Sequence, residues 1–540
     1  MKKTFRTSHK KKYIFLFSII VLVIIIFSLK SSGSPEEKQV LKIALPFDIR
    51  SLDIALAHDN NSSHVMNMVF EGLMRRDTND IPRLAVAKSY EVSSDKKKYI
   101  FYLRDCKWSD GKEVTAYDFE FSWKRSLDPS SKFLTQAPYY FYPIKNAKLC
   151  LTGKVSIDEV PIHAIDEKTL SVELEYPASY FLDIIALPYF FPLPKYELEK
   201  NSKWGTNENV ICNGAFKVKS WKKGNIIEVV KNPTYWDHDN VYLDMIEVNI
   251  VEDSRTALMM YEKGSLDWIG SPFVKISYDI SSDILTNEGQ DVLAYWFFIN
   301  TEKYPLNNKK LRQALSYSID RRAVVDNIFH SCGIPATSPL SPPLSLKVGG
   351  CFQDNNVSLA KDLFEEALKE LGLSKEELPE IELSYVVDLE MHHRIAQALQ
   401  DQWRKVLGIK NISLRKAEWA VHFDRVSKGS YELGFMGWSS CVLDASFILE
   451  VFRNKDDASN KSNWENEKYK ECLDQANFTI NELKRKELLI EAENILMDEM
   501  PIIPLCFVNK RFAKNPRLNG ENLSSLQFID FKTAYFQAKQ

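Results

Sequence analysis

The sequence predicts a mixed α/β protein of more than one domain. Three observations lead there. The chain has 540 residues, well beyond the roughly 250–300 at which a single core stops growing. Short β-branched or alternating runs recur between amphipathic helical stretches from one end to the other. No internal repeat or low-complexity linker divides them, so domains that share the chain discontinuously are expected. With 45% hydrophobic and 26% charged residues, a disordered chain and a coiled coil are excluded.

The elements follow in chain order. LKIAL at 41–45 reads as a strand, and Ser62 or Ser63 is expected to cap a helix burying Val65, Met68 and Val69. YIFYLR at 99–104 is strand-like. Thr115 with Asp118 three residues on has the spacing of a helix N-terminus, and that helix should end before Asp128-Pro129. LSVEL (170–174), FKVK (216–219), IIEVV (226–230) and IEVNIV (246–251) read as strands. RTALMMYEKG reads as a helix stopped at Gly264. The stretch 309–330 gives helical pattern broken near Asp320. SLAKDLFEEALKELG places Leu359, Leu363, Phe364, Ala367 and Leu371 on one face, with Gly372 as the stop. IELSYVV (381–387) is a strand, helices are expected over about 390–407 and 481–499, and the chain returns through PIIPLCFV at 501–508.

The net charge of −3 averages two unlike parts. Residues 1–33 hold seven basic side chains and no acidic ones, which leaves 63 basic against 73 acidic in the remainder. A body that acidic lacks the basic stripe of a nucleic-acid binder. Six of the basic residues precede YIFLFSIIVLVIIIFSL at 13–29, an apolar run interrupted only by Ser18 and Ser28. Its 17 residues suit two readings, a cleaved signal with Ser31-Ser32-Gly33-Ser34 as its small-residue site, or a retained membrane anchor. Both export the body.

Catalytic and metal signatures are missing from the sequence. It contains no GxSxG, HExxH, GxxxxGK[ST] or GxGxxG. His392-His393 is the only close histidine pair, and neighbours on a helix point about 100° apart, so both are read as solvated helix residues. Glu365-Glu366 reads as a solvated face. The eight cysteines are scattered without a CxxC. Cys332 and Cys351 flank a proline-rich loop and suit either a disulfide or two buried thiols. Eleven tryptophans spread along the chain, most expected in cores and a few at the rim of a cleft. No cofactor and no enzymatic activity are expected.

Residues 99–129, YIFYLRDCKWSDGKEVTAYDFEFSWKRSLDP, change the picture. Around them stand SLD (51–53), FEGL (70–73), CNGAFKVKSW (212–221), KNPTYWD (231–237), YEKGSLDW (261–268), INTEKYPLNNKKLRQALSYSIDRRAVV (299–325) and GW (437–438). In this order the series resembles the periplasmic oligopeptide-binding proteins, the family 5 solute receptors of peptide-importing ABC transporters. The likeness covers about 40 to 535.

That resemblance implies a two-lobed periplasmic-binding-protein fold of the cluster C type, with an extra subdomain on the N-terminal lobe. Lobe I would comprise 41–70, 197–267 and 508–540, the subdomain 71–196, and lobe II 268–507. It implies a short peptide captured between lobes by hinge closure, an ABC permease as partner, a monomer, and a periplasmic location with membrane contact through 13–29 if that segment is retained. The family meets the peptide's amino group with an aspartate shortly after the Gly-Trp pair; here that position is Cys441, with Asp444 three residues on. An arginine position falls on Phe435 and a second basic position on Val426. Trp419 and Trp438 match cleft-wall positions, Lys303 and His392 match positions near the ligand's carboxylate, and His58 with Asp59 is a further candidate at the amine. The expected ligand set is therefore altered toward short, modified or N-blocked peptides. A receptor for nickel, haem or another small solute is the alternative, and an exported enzyme a remoter one.

Overall fold

The computed structural model describes residues 38–57, 59–129, 138–201, 203–277, 284–286, 289–387 and 390–538. The 13–29 segment, its Ser31–Ser34 site and His58 lie outside them.

Three sheets carry the architecture. In the first, Val40–Leu45 pairs in parallel with Met245–Ile250, which runs antiparallel to Ile226–Lys231 and on to Phe216–Lys222. In the second, Ala87–Val92, Lys98–Leu103, Thr169–Glu173 and Ile162–Asp166 form an antiparallel set in that order. Buried side chains around these two sheets, Leu41, Ile43, Phe101, Trp108, Trp123 and Val248 among them, make one continuous apolar core. We call this the first body.

The second body is built on a six-stranded mixed sheet, ordered Gly333–Pro335, Ile502–Asn509, Gln290–Ile299, Leu433–Trp438, Ile381–Val386 and Ile412–Ala417. Successive side chains of a strand point to opposite faces, so Phe297 and Ile299 join one core while Trp296 and Phe298 join the other. Pro504 sits within this sheet without an N–H to offer; the register slips there, so that Tyr295 faces Cys506 and Trp296 faces Pro504.

Two segments that lead from one body to the other lie side by side. Trp268–Gly270 runs antiparallel to Phe512–Lys514. Gly270 has φ +93°, and a Cβ there would fall 2.2 Å from the Arg511 carbonyl oxygen, so only glycine allows the two segments this approach.

Several expected elements match within a residue or two. The helix Ala116–Leu127 begins where Asp118 accepts from the Thr115 N–H at 2.9 Å and ends before Asp128. Lys309–Tyr317 and Arg321–Ile328 are separated at Asp320, which caps the second. The long helices fall at Val357–Leu371, Glu390–Val406 and Glu482–Glu499.

Other expectations are corrected. The helix Asn60–Val69 is capped by Asp59, whose carboxylate takes both the N–H and the hydroxyl of Ser62 at 2.8 Å each; the serine expected as the cap is a partner of the cap. On Val357–Leu371 the buried positions are Ala360, Phe364, Ala367 and Leu368, and Leu359 is exposed. The helix is turned toward Lys309–Tyr317, where Lys310 pairs with Glu366 and Glu370 at 2.7 Å. Asn213-Gly214, within the CNGAFKVKSW stretch, joins segments far apart in sequence. The buried Asn213 amide exchanges hydrogen bonds with the Glu71 backbone at 3.1 and 2.9 Å, and Gly214 lies against the Val69 carbonyl. Cys332 and Cys351 are thiols and not a disulfide, as are the other six cysteines.

Candidate functional site

The Leu433–Trp438 strand leaves part of its backbone unpaired. On one side it runs antiparallel to Gln290–Ile299 along its whole length, from Ile299 opposite Leu433 to Ala294 opposite Trp438. On the other, Ile381–Val386 pairs only with Leu433 and Gly434. Beyond Gly434 no strand among the described residues lies against that second edge. The Phe435 carbonyl there meets His422 Nε2 at 3.1 Å, and the other ring nitrogen of His422 meets the Ser384 hydroxyl at 2.8 Å. An unpaired strand edge at the mouth of a sheet can take an extended chain by backbone hydrogen bonds.

Side chains around this edge divide by face. Phe435 turns into a buried aromatic set, 4.6 Å between ring centres from Phe297 and 5.5 Å from Tyr295. Trp438 turns the other way and stacks on Trp296 at 6.2 Å. Gly437 lies between them; a Cβ there would press to 3.0 Å of the Tyr295 ring. Trp419 begins the helix Trp419–Ser427, 53% exposed, with its ring against Phe423 at 5.7 Å.

His392 corrects the solvated reading. It is 4% exposed, its ring stands edge-on to Phe435 at 4.7 Å and to Tyr295 at 6.0 Å, and neither nitrogen has a hydrogen-bond partner among the described residues. Burial, helped by the nearby charges of His422 and Lys275, pushes its pKa down to about 4, so the ring is neutral at neutral pH. His393 is turned the other way, onto the Tyr385 hydroxyl at 2.6 Å.

Past Trp438 the chain packs against the first body. The Ser440 hydroxyl and the Val442 backbone close a tight turn, and Val442 is buried in the first body's core. The sulfur of Cys441 accepts a hydrogen bond from the Tyr140 hydroxyl at 2.7 Å. Burial raises the thiol's pKa against the opposing effects of Tyr140 and the Arg76 charge, so Cys441 carries no charge at neutral pH.

Asp444 has its oxygens filled. Arg485 donates to both at 2.9 Å, Ser446 donates its N–H at 2.9 Å and its hydroxyl at 2.6 Å, and Ser179 of the first body donates at 3.2 Å. Burial would raise this carboxyl, but Arg485 and Ser446 outweigh it and hold it below the usual carboxylate range. Asp59 is likewise engaged by Ser62.

The structure thus brings Trp438, Cys441, Asp444, Phe435, His392 and Trp419 to one end of the six-stranded sheet, the end at which the parallel strands Ile381–Val386, Ile412–Ala417 and Leu433–Trp438 finish. Lys303 lies at the other end, exposed, just past Ile299 and Asn300. Val426 is a core residue whose methyl touches the Gly434 position. Tyr140, Ser179 and Arg485 were not anticipated from the sequence, since none carries a local signal. Nor was a small pocket in the first body, lined by Phe70, Met74, Leu187 and Phe528 over an ion-paired floor of Glu71, Arg75 and Asp530.

Residues 82–460 match the family model described as "Bacterial extracellular solute-binding proteins, family 5 Middle". This chain belongs to that family. Among similar proteins, the oligopeptide-binding protein OppA of Bacillus subtilis is 38% identical over 512 residues, 93% of each chain. The dipeptide-binding protein DppE of the same organism is 30% identical, covering 94% of this chain and 92% of its own. Of solved structures, Listeria monocytogenes OppA bound to peptide superposes with TM-score 0.76 at 27% identity, over 93% of this chain and all of the other. The Escherichia coli murein tripeptide binding protein MppA does so with TM-score 0.77 at 27% identity, over 93% and 99%. The two bodies of this family 5 solute-binding protein are the two lobes of that fold, and its homologues are binding proteins rather than enzymes.

Proposed function

We propose that this protein is an extracytoplasmic receptor of an ABC importer that captures short peptides between its lobes and hands them to the permease. Its relatives named for oligopeptide, dipeptide and murein tripeptide binding support the peptide class. The unpaired edge beyond Gly434 supports backbone pairing with an extended ligand. On this reading the apolar segment at 13–29 directs export, and either leaves with cleavage or tethers the receptor to the membrane.

The ligand set is shifted toward peptides without a free amino terminus: N-blocked, modified or cell-wall-derived. One observation carries this. At the position where the resemblance places an amine-binding aspartate stands the uncharged Cys441, already bonded by Tyr140, and the nearby Asp444 is neutralised by Arg485. A desolvated ammonium without a charged partner costs several kcal/mol, so a charged terminus has little to gain here. The neutral, ring-packed His392 and the plugging Phe435 extend the same logic to the neighbouring wall.

Native mass spectrometry of the protein purified from its own cells tests the proposal. The expected co-purifying species are peptides whose α-amine does not react with an amine-labelling reagent. Free-amine peptides as the dominant species, or a haem or metal complex, would overturn it.

A further inference from the structure

Tyr140 belongs to the first lobe, and Cys441 sits where the chain leaving the second lobe's Leu433–Trp438 strand packs against the first, so their 2.7 Å hydrogen bond ties the two lobes together. The Tyr140 ring is itself shared between lobes: it stacks on Tyr189 of its own lobe at 5.0 Å and 22°, and on Phe447 of the opposite lobe at 5.5 Å and 9°. Two further contacts continue the line. Ser179 donates to Asp444 at 3.2 Å, and Phe478 of the second lobe takes the Tyr176 ring edge-on at 6.2 Å with the Lys97 ammonium 5.4 Å over its face. Arg485 holds Asp444 in place for the Ser179 contact.

We propose that these contacts form a latch, centred on Tyr140 and Cys441, that holds this end of the cleft shut by bonding lobe to lobe where a charged ligand terminus would otherwise bridge them. The chemistry is self-consistent. A neutral sulfur is a weak acceptor suited to a phenol hydroxyl, and stacked rings add an attraction that needs no charge. Closure then draws on protein–protein contacts already built into the sequence, and the ligand's contribution moves to its backbone and side chains. The inference deepens the peptide-receptor reading and rests on it only for what the ligand is.

Single-molecule energy transfer between one dye in each lobe of the full chain reads the closed-to-open ratio directly. The unchanged protein is expected to populate the closed distance before any peptide is added. Tyr140→Phe keeps the ring stack and removes one interlobe hydrogen bond, which should shift the ratio toward open about fivefold. Phe478→Ala, remote from position 441, should shift it by a similar factor of about five through lost ring packing. A free protein found only in the open distance, or ratios unchanged in both variants, would overturn the latch. Because these ratios are read without ligand, they stand apart from the peptide reading: a receptor that latches as described but ignores N-acetylated tripeptides would sink that reading and leave the latch intact.

Discussion

Arg485 grips Asp444 with both arms of its guanidinium, each at 2.9 Å, and so satisfies inside the protein the carboxylate that stands closest in sequence to the missing amine partner. Both side chains are largely buried. Removing one member of such a pair strands the other, at a cost of about 3–5 kcal/mol. Asp444→Ala should therefore lower the stability of the second lobe by about that amount in urea denaturation, and the double change Asp444→Ala with Arg485→Met should lower it by less. The same Asp444→Ala variant should bind a free-amine tripeptide within about threefold of the unchanged protein. A hundredfold loss would make Asp444 the clamp after all.

Restoring a carboxylate at position 441 should restore the preference for an amine. Cys441→Asp is expected to tighten free-amine tripeptides about a hundredfold in calorimetry, leaving N-acetylated forms nearly unchanged. Cys441→Ser keeps a neutral group of similar size and should do neither.

Two buried histidines make the protein acid-sensitive. His64 and His392 each have a pKa lowered to about 4, chiefly by burial. A folded pKa below the unfolded value near 6.5 means that the unfolded chain takes up protons first as pH falls. The stability they contribute is complete above about pH 6.5 and is lost progressively down to about pH 4. At pH 4.5 the loss should reach about 2.5 kcal/mol per histidine relative to pH 7.5. Urea midpoints across this range check it, and His392→Phe should flatten the curve by its share.

The crossing at Gly270 is sensitive to a single methyl. Gly270→Ala puts a Cβ against the Arg511 carbonyl at a backbone φ of +93°. A destabilisation of about 3 kcal/mol or more is expected in urea denaturation, because backbone on both sides must move.

What could be read in the sequence was local chemistry. Asp118 with Thr115, Asp320 between two helices and Gly372 after Leu371 each act within a few residues, and each stands where it was expected. The central Gln290–Ile299 strand was not read, because a strand buried on both faces is continuously apolar and shows no alternation. Leu433–Trp438 is hidden further by its two glycines, which have no side chain to mark a face. The site was legible only in outline. That His392 is buried depends on Phe435, forty-odd residues away in sequence, whose ring it faces. That Cys441 is bonded depends on Tyr140, 301 residues away. No spacing rule spans such separations, and only folding brings the pairs together.

Calorimetric titration of the unchanged protein with one tripeptide in free and N-acetylated forms measures directly whether a free amino terminus matters to this receptor. Affinities within about threefold of each other, or tighter for the acetylated form, are predicted. A free-amine form bound a hundredfold or more tightly would contradict the prediction.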